Sequence, residues 1–140
     1  MVPFKTGLKQ GGVVETGIII LGHGSRRPEV GESFRILVDR IRERVSDAAV
    51  VPAFFSLGTP TLSGQVGELV EGGATRIVIM PYFLYNGVHV ETDIPALVAR
   101  LEQKFPHVRF TVLPTLENDP GLEDLLVGRV APFCQESGRG

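Results

Sequence analysis

Four β-prone apolar runs alternate with four stretches of helical periodicity, and that order constrains the fold more than anything else in the chain. Gly17-Ile18-Ile19-Ile20-Leu21 is continuously apolar, the pattern of a strand covered on both faces rather than on one. Val50–Phe55, Arg76–Met80 and Val108–Leu113 are three further strand candidates. Between the first two, Phe34, Leu37, Val38, Ile41 and Val45 recur at helical spacing from Glu29 to Val45, with Arg42 and Arg44 suited to the helix C-terminus. Thr59 with Pro60 predicts an N-cap and first turn for a second helix, striped by Leu62, Val66, Leu69 and Val70 and ended by Gly72-Gly73. Ile94, Leu97, Val98, Leu101 and Phe105 form a third helical face, with Asp93 placing a negative charge at its start. Asp119-Pro120 opens a fourth, carrying Leu122, Leu125, Leu126 and Val130. Strands separated by helices cannot be joined by hairpins, so the prediction is an α/β three-layer sandwich: a central, mainly parallel four-stranded sheet flanked by helices.

A chain of 140 residues fits one such unit, expected over residues 17–136, and its 43% hydrophobic content supplies a core without disulfides. Met1–Thr16, which carries Lys5 and Lys9 and no long apolar stretch, reads as a flexible lead-in rather than a signal peptide. The net charge of −2 and the lack of a Lys/Arg block argue against nucleic acid as a partner, and no apolar run is long enough for a membrane span. A single cysteine, Cys134, cannot staple the chain to itself; it is read as helix packing, and the expected compartment is the cytoplasm.

In a parallel sheet every loop that follows a strand emerges at the same edge, where open α/β sheets bind ligands. His23 follows the first strand in Gly22-His23-Gly24-Ser25-Arg26-Arg27; His89 follows the third in Tyr82-Phe83-Leu84-Tyr85-Asn86-Gly87-Val88-His89. Either histidine alone reads as well as a turn residue satisfying backbone groups, but a pair at one edge points to a metal or an exchangeable proton. Tyr82, Phe83 and Tyr85 fit core and rim as readily as a platform for a flat apolar ligand. Arg26 and Arg27 fit solvated helix-entry charges, or partners for acidic groups on a substrate. His107 belongs at the opposite edge and reads as a surface residue. With no HExxH or CxxC present, spacing gives no structural zinc site. Two imidazoles with open coordination positions suit transient handling of cobalt, nickel or iron.

Leu21-Gly22-His23-Gly24-Ser25-Arg26 resembles the opening motif of the small CbiX-type sirohydrochlorin cobaltochelatases, and Asn86-Gly87-Val88-His89-Val90-Glu91-Thr92-Asp93-Ile94-Pro95 resembles their second histidine motif. Weaker matches lie in register at Ala53-Phe54-Phe55 to Pro60 and at Leu116-Glu117-Asn118-Asp119-Pro120, so the likeness spans Gly17 to Phe133. It implies a class II chelatase fold and insertion of a divalent metal, cobalt foremost and iron or nickel otherwise, into sirohydrochlorin or a related tetrapyrrole. In such relatives the products serve cobalamin, siroheme or the nickel cofactor of methanogens. The resemblance further implies His23 and His89 as catalytic and metal-binding residues, and Ser25, Arg26, Tyr85, Asn86 and Gly87 as substrate contacts. No organic cofactor is expected, the metal being a co-substrate. A homodimer is expected, because longer chelatases join two such domains in tandem.

The chain departs from the family pattern where many members carry acids after strand two; here Ser56 and Thr59 stand. Glu91 fits a solvated loop glutamate, or a substitute for those acids if the chain runs extended past His89, since residues two apart then share a face. The missing acids leave open a carrier or sensor that binds metal or tetrapyrrole without turnover. A histidine phosphatase would need an arginine at Gly22, and a dinucleotide-binding loop a third glycine; neither is present.

Overall fold

The computed structural model describes residues 15–137, and of His89 and residues 135–137 it describes only the backbone. Strands β1 (Thr16–Gly24), β2 (Ala49–Leu57), β3 (Arg76–Pro81) and β4 (Arg109–Val112) alternate with helices α1 (Pro28–Arg44), α2 (Leu62–Glu71), α3 (Ile94–Lys104) and α4 (Pro120–Ser137). The strands form one sheet in the order β2-β1-β3-β4, and every pairing is parallel. Most of the lead-in expected over Met1–Thr16 lies outside the described residues. Its last two residues belong to the sheet edge: Glu15 O accepts from the N–H groups of Thr75 and Arg76, and β1 starts at Thr16.

Alternate residues of each strand feed opposite faces. Ile19 and Leu21, Ala49, Val51 and Ala53, and Ile77 and Ile79 pack with α2 and α3, through Leu62, Val66, Leu69, Ile94, Val98 and Leu101. Ile18, Ile20, Val50, Phe54 and Met80 face the other way, toward Phe34, Val38, Leu37 and Ile41 of α1. That two-sided burial is why the strands read as unbroken apolar runs. Pro52 is tolerated because β2 is an edge strand, and its carbonyl accepts from the buried Gln65 side chain of α2 at 2.7 Å.

Three local expectations are corrected. The N-cap of α2 is Thr61, whose hydroxyl accepts from Gly64 N at 3.1 Å, not Thr59; the Thr59–Pro60 bond is cis and belongs to the preceding loop. The chain after His89 is not extended but forms a π-helical turn, His89–Asp93, that leads directly into α3. Cys134 is exposed on α4 rather than packed. Indeed Leu125, Leu126, Val127 and Val130 of α4 all stand more than half exposed.

Candidate active site

The sheet order fixes where the two histidine loops meet. Chain direction across the sheet reverses after β1, because β2 lies on one side of it and β3 on the other. The C-terminal ends of β1 and β3 therefore flank the switch point, the usual crevice for ligands in open α/β sheets. His23 lies at the end of β1, and His89 heads the π-helical turn after β3. The two come from neighbouring strands paired from Thr16↔Arg76 to Leu21↔Pro81. Single π turns inside helical segments occur often at functional sites.

His23 is aimed by a bulge. Gly22 pairs with Phe54 but Gly24 pairs with Leu57, so one residue of β1 opposes two of β2. Gly24 holds φ at +97°, and a Cβ there would lie 2.1 Å from Leu57 O. Gly22 lies beneath the Phe34 ring, whose nearest carbon would be 2.9 Å from an added Cβ. Between these glycines the His23 side chain reaches solvent, its ring set edge-on to Phe83 at 5.9 Å and 82°. Ser56 Oγ donates to His23 O at 3.0 Å. Ser56 thus ties down the histidine's backbone.

Beside His23 opens a cavity of about 440 Å³, walled by Val30, Phe34, Leu37, Phe54 and Tyr82. Phe34 packs between Phe54 and Tyr82, with ring centroids 5.4 and 5.8 Å away. The wall is therefore mostly apolar and aromatic, contributed largely by one face of α1. Cavities of this volume and lining hold small organic ligands.

The β3 loop is laced to the loop after β4. Asn86 Nδ2 donates to Glu117 Oε2 at 2.8 Å, and the buried Thr115 hydroxyl donates to Asn86 Oδ1 at 2.6 Å. Leu116 N donates to Phe83 O at 2.9 Å. Thr115 follows the fourth strand at the ligand edge, but its bond to Asn86 is evident only once β4 lies beside β3. Among the expected substrate contacts, Asn86 has its side chain engaged in this network, and Ser25 Oγ accepts from Arg27 N at 3.1 Å. Tyr85 is 73% exposed, Gly87 has open space where a Cβ would stand, and Arg26 is exposed. The face-sharing argument for Glu91 falls with the extended backbone: Glu91 N closes the turn onto Gly87 O, and its side chain is exposed. Phe83 packs against the core, whereas Tyr82 and Tyr85 remain at the rim. His107 is exposed on the α3–β4 connection, at the far edge. No cluster of three metal-ligating side chains occurs among the described residues.

Fold and edge together define a class: a parallel α/β sheet with histidine-bearing loops at its switch point, beside an aromatic-walled cavity. Within that class the chain belongs to the CbiX family, whose model matches residues 17–132. It is 38% identical over 128 residues to the sirohydrochlorin cobaltochelatase of Methanosarcina barkeri, covering 86% of this chain and 95% of that protein. It is 33% identical over 125 residues to the chloroplastic sirohydrochlorin ferrochelatase of Arabidopsis thaliana, covering 89% of this chain but only 56% of the plant protein. Another sirohydrochlorin cobaltochelatase, from Methanocaldococcus jannaschii, is spanned over 59% of its length. In three dimensions the crystal structure of the CbiX protein from Marinobacter aquaeolei VT8 matches with a TM-score of 0.74 and 26% identity, over 86% of this chain and 98% of that one.

Proposed function

We propose that this protein is a metal chelatase that inserts a divalent ion into sirohydrochlorin or a closely related tetrapyrrole. The observation that carries the reading is the presentation of His23 at the end of β1, opposite a bulge in β2, at the switch point it shares with the His89 loop and beside an apolar cavity. Metal insertion exchanges two pyrrole N–H protons and the ion's bound water for four metal–nitrogen bonds. A neutral imidazole is suited to both halves of that exchange, because it can ligate the arriving ion or take a proton from the ring. We assign those roles to His23 and His89. The aromatic wall of Phe34, Phe54 and Tyr82 supplies a dry surface against which one face of the macrocycle can lie.

Cobalt is the metal we favour, because the Methanosarcina barkeri relative, which has the higher identity and aligns over nearly its whole length, and the Methanocaldococcus jannaschii relative are both cobaltochelatases. The working unit is taken to be one domain over residues 17–136, paired with a second copy. The exposed Leu125, Leu126, Val127 and Val130 of α4 support that pairing, since large apolar side chains left in water gain by being covered. No described helix is long and apolar enough to cross a membrane, and the single Cys134 suits the cytoplasm as the place of reaction.

The competing reading is a carrier that binds without turnover, suggested by Ser56 and Thr59 standing where acids are common. Anaerobic incubation with sirohydrochlorin and a large excess of cobalt, iron or nickel separates the two. A chelatase converts many equivalents of macrocycle faster than the uncatalysed control; a carrier stops after about one equivalent.

A further inference from the structure

A second cavity, of about 370 Å³, opens beside the first, and Phe54 lines both. Its character is different: Arg26, Arg27 and Arg35 line it, with Glu32 as the carboxylate among them. The three arginines are not equivalent. Arg27 is engaged, its Nε 2.9 Å from Glu29 Oε1. Arg26 makes no ion pair among the described residues. Arg35 is held from two sides: one terminal nitrogen donates to Thr59 O at 2.6 Å, and the guanidinium lies 5.5 Å over the Phe54 ring. One donor of the five on the fork is used there, which leaves the others for a ligand.

We propose that this cavity is a carboxylate-binding subsite, with Arg35 and Arg26 selecting a macrocycle that carries acidic side chains around its rim. The inference rests on the chelatase reading and names what the site recognises beyond the flat ring. Planar guanidinium matches planar carboxylate through paired hydrogen bonds, which a lone ammonium cannot do. The geometry is that of an apolar floor passing into a basic margin: Phe54 lines both cavities, and Arg26 lies three residues beyond His23. A tetrapyrrole whose face lies against Phe34 and Phe54 would extend its acetate or propionate groups toward Arg35. The two cations outweigh Glu32, so the site favours a polycarboxylate over a macrocycle with few acids.

The test uses metal-free sirohydrochlorin and a porphyrin with two carboxylates, titrated anaerobically into the wild type, Arg35→Gln and the Arg26→Gln/Arg35→Gln double variant, with insertion kinetics alongside. Loss of Arg35 should raise Kd and KM for sirohydrochlorin about tenfold. It should leave kcat within about twofold, the mark of binding contacts made equally in ground and transition states. Affinity for the dicarboxylate porphyrin should change less, and the salt dependence of sirohydrochlorin binding should flatten. Arg35→Lys keeps the charge but not the fork and should fall between. Unchanged sirohydrochlorin affinity in the double variant, with the wild type still inserting metal, would overturn the subsite and leave the chelatase standing. A wild type that neither binds nor metallates sirohydrochlorin would remove the chelatase reading and the subsite with it.

Discussion

Replacing Gly24 with alanine tests how the His23 edge is held. Gly24 has φ +97°, a region that costs a residue with a Cβ roughly 1–2 kcal/mol. The added Cβ would also lie 2.1 Å from Leu57 O and 2.7 Å from Leu57 N, both backbone atoms. A relaxed carbon–oxygen contact is about 3.3 Å, so the end of β2 must move by about 1 Å. That movement opens the Gly24↔Leu57 pairing, worth about 1 kcal/mol net for the ladder bond lost. The sum, roughly 2–3 kcal/mol, is below the 5–15 kcal/mol stability typical of such domains, so the variant should fold. Its Tm should drop by about 10 °C. Activity should suffer more than stability, because a catalytic group displaced by about 1 Å can cost about a hundredfold in rate. Urea unfolding and insertion kinetics on the same preparation check both numbers. Gly87→Ala is the control for stability, since a Cβ there meets nothing within 4 Å. If Gly24→Ala unfolded within about 0.5 kcal/mol of the control, the reasoning that this glycine holds the strand end would be refuted.

Other outcomes follow from the same geometry. Thr115→Val removes the hydroxyl that donates to Asn86 Oδ1 and should cost about 1 kcal/mol in urea unfolding. Because the loop carrying His89 then loses a tether, the insertion rate should fall by more than that destabilisation explains. Leu126→Glu, at a side chain 55% exposed in the single chain, should weaken self-association by about a hundredfold or more, read by sedimentation, while leaving the monomer folded. Glu91→Gln should insert metal at the wild-type rate, because Glu91 is exposed on a helical turn; a large loss would return Glu91 to the mechanism.

The fold was legible where burial dictates residue type. Ile18–Leu21 and Ile77–Met80 are covered on both faces, so their sequences could only be apolar, and α1 shows Phe34 and Val38 at the spacing its buried face requires. Sheet order was not legible, since nothing local to β1 says that β2 and β3 take opposite sides. Local chemistry misled at Thr59-Pro60, where an N-cap and proline stand together but the hydroxyl that caps α2 belongs to Thr61. It failed again after His89, where β-branched Val90 and Thr92 flank Glu91 and yet the segment is wound into the entry of α3. His23 stood out because its flanking glycines are demanded by a left-handed φ at one position and a ring contact at the other. Ser56 and Thr115 act through a carbonyl and an amide brought close by the sheet, which no spacing along the chain encodes. The last helix is a case of its own: its apolar stripe predicted a buried face, but Leu125, Leu126 and Val130 are exposed in the single chain.

The most direct test of the central claim is the initial rate of cobalt insertion into sirohydrochlorin under anaerobic conditions, with metal in excess, for the wild type, His23→Ala and His89→Ala. The account predicts multiple turnovers in the wild type and a fall to the uncatalysed rate in both variants, with unfolding midpoints little changed because His23 is exposed. Undiminished turnover in either variant, from a protein that remains folded, would contradict it.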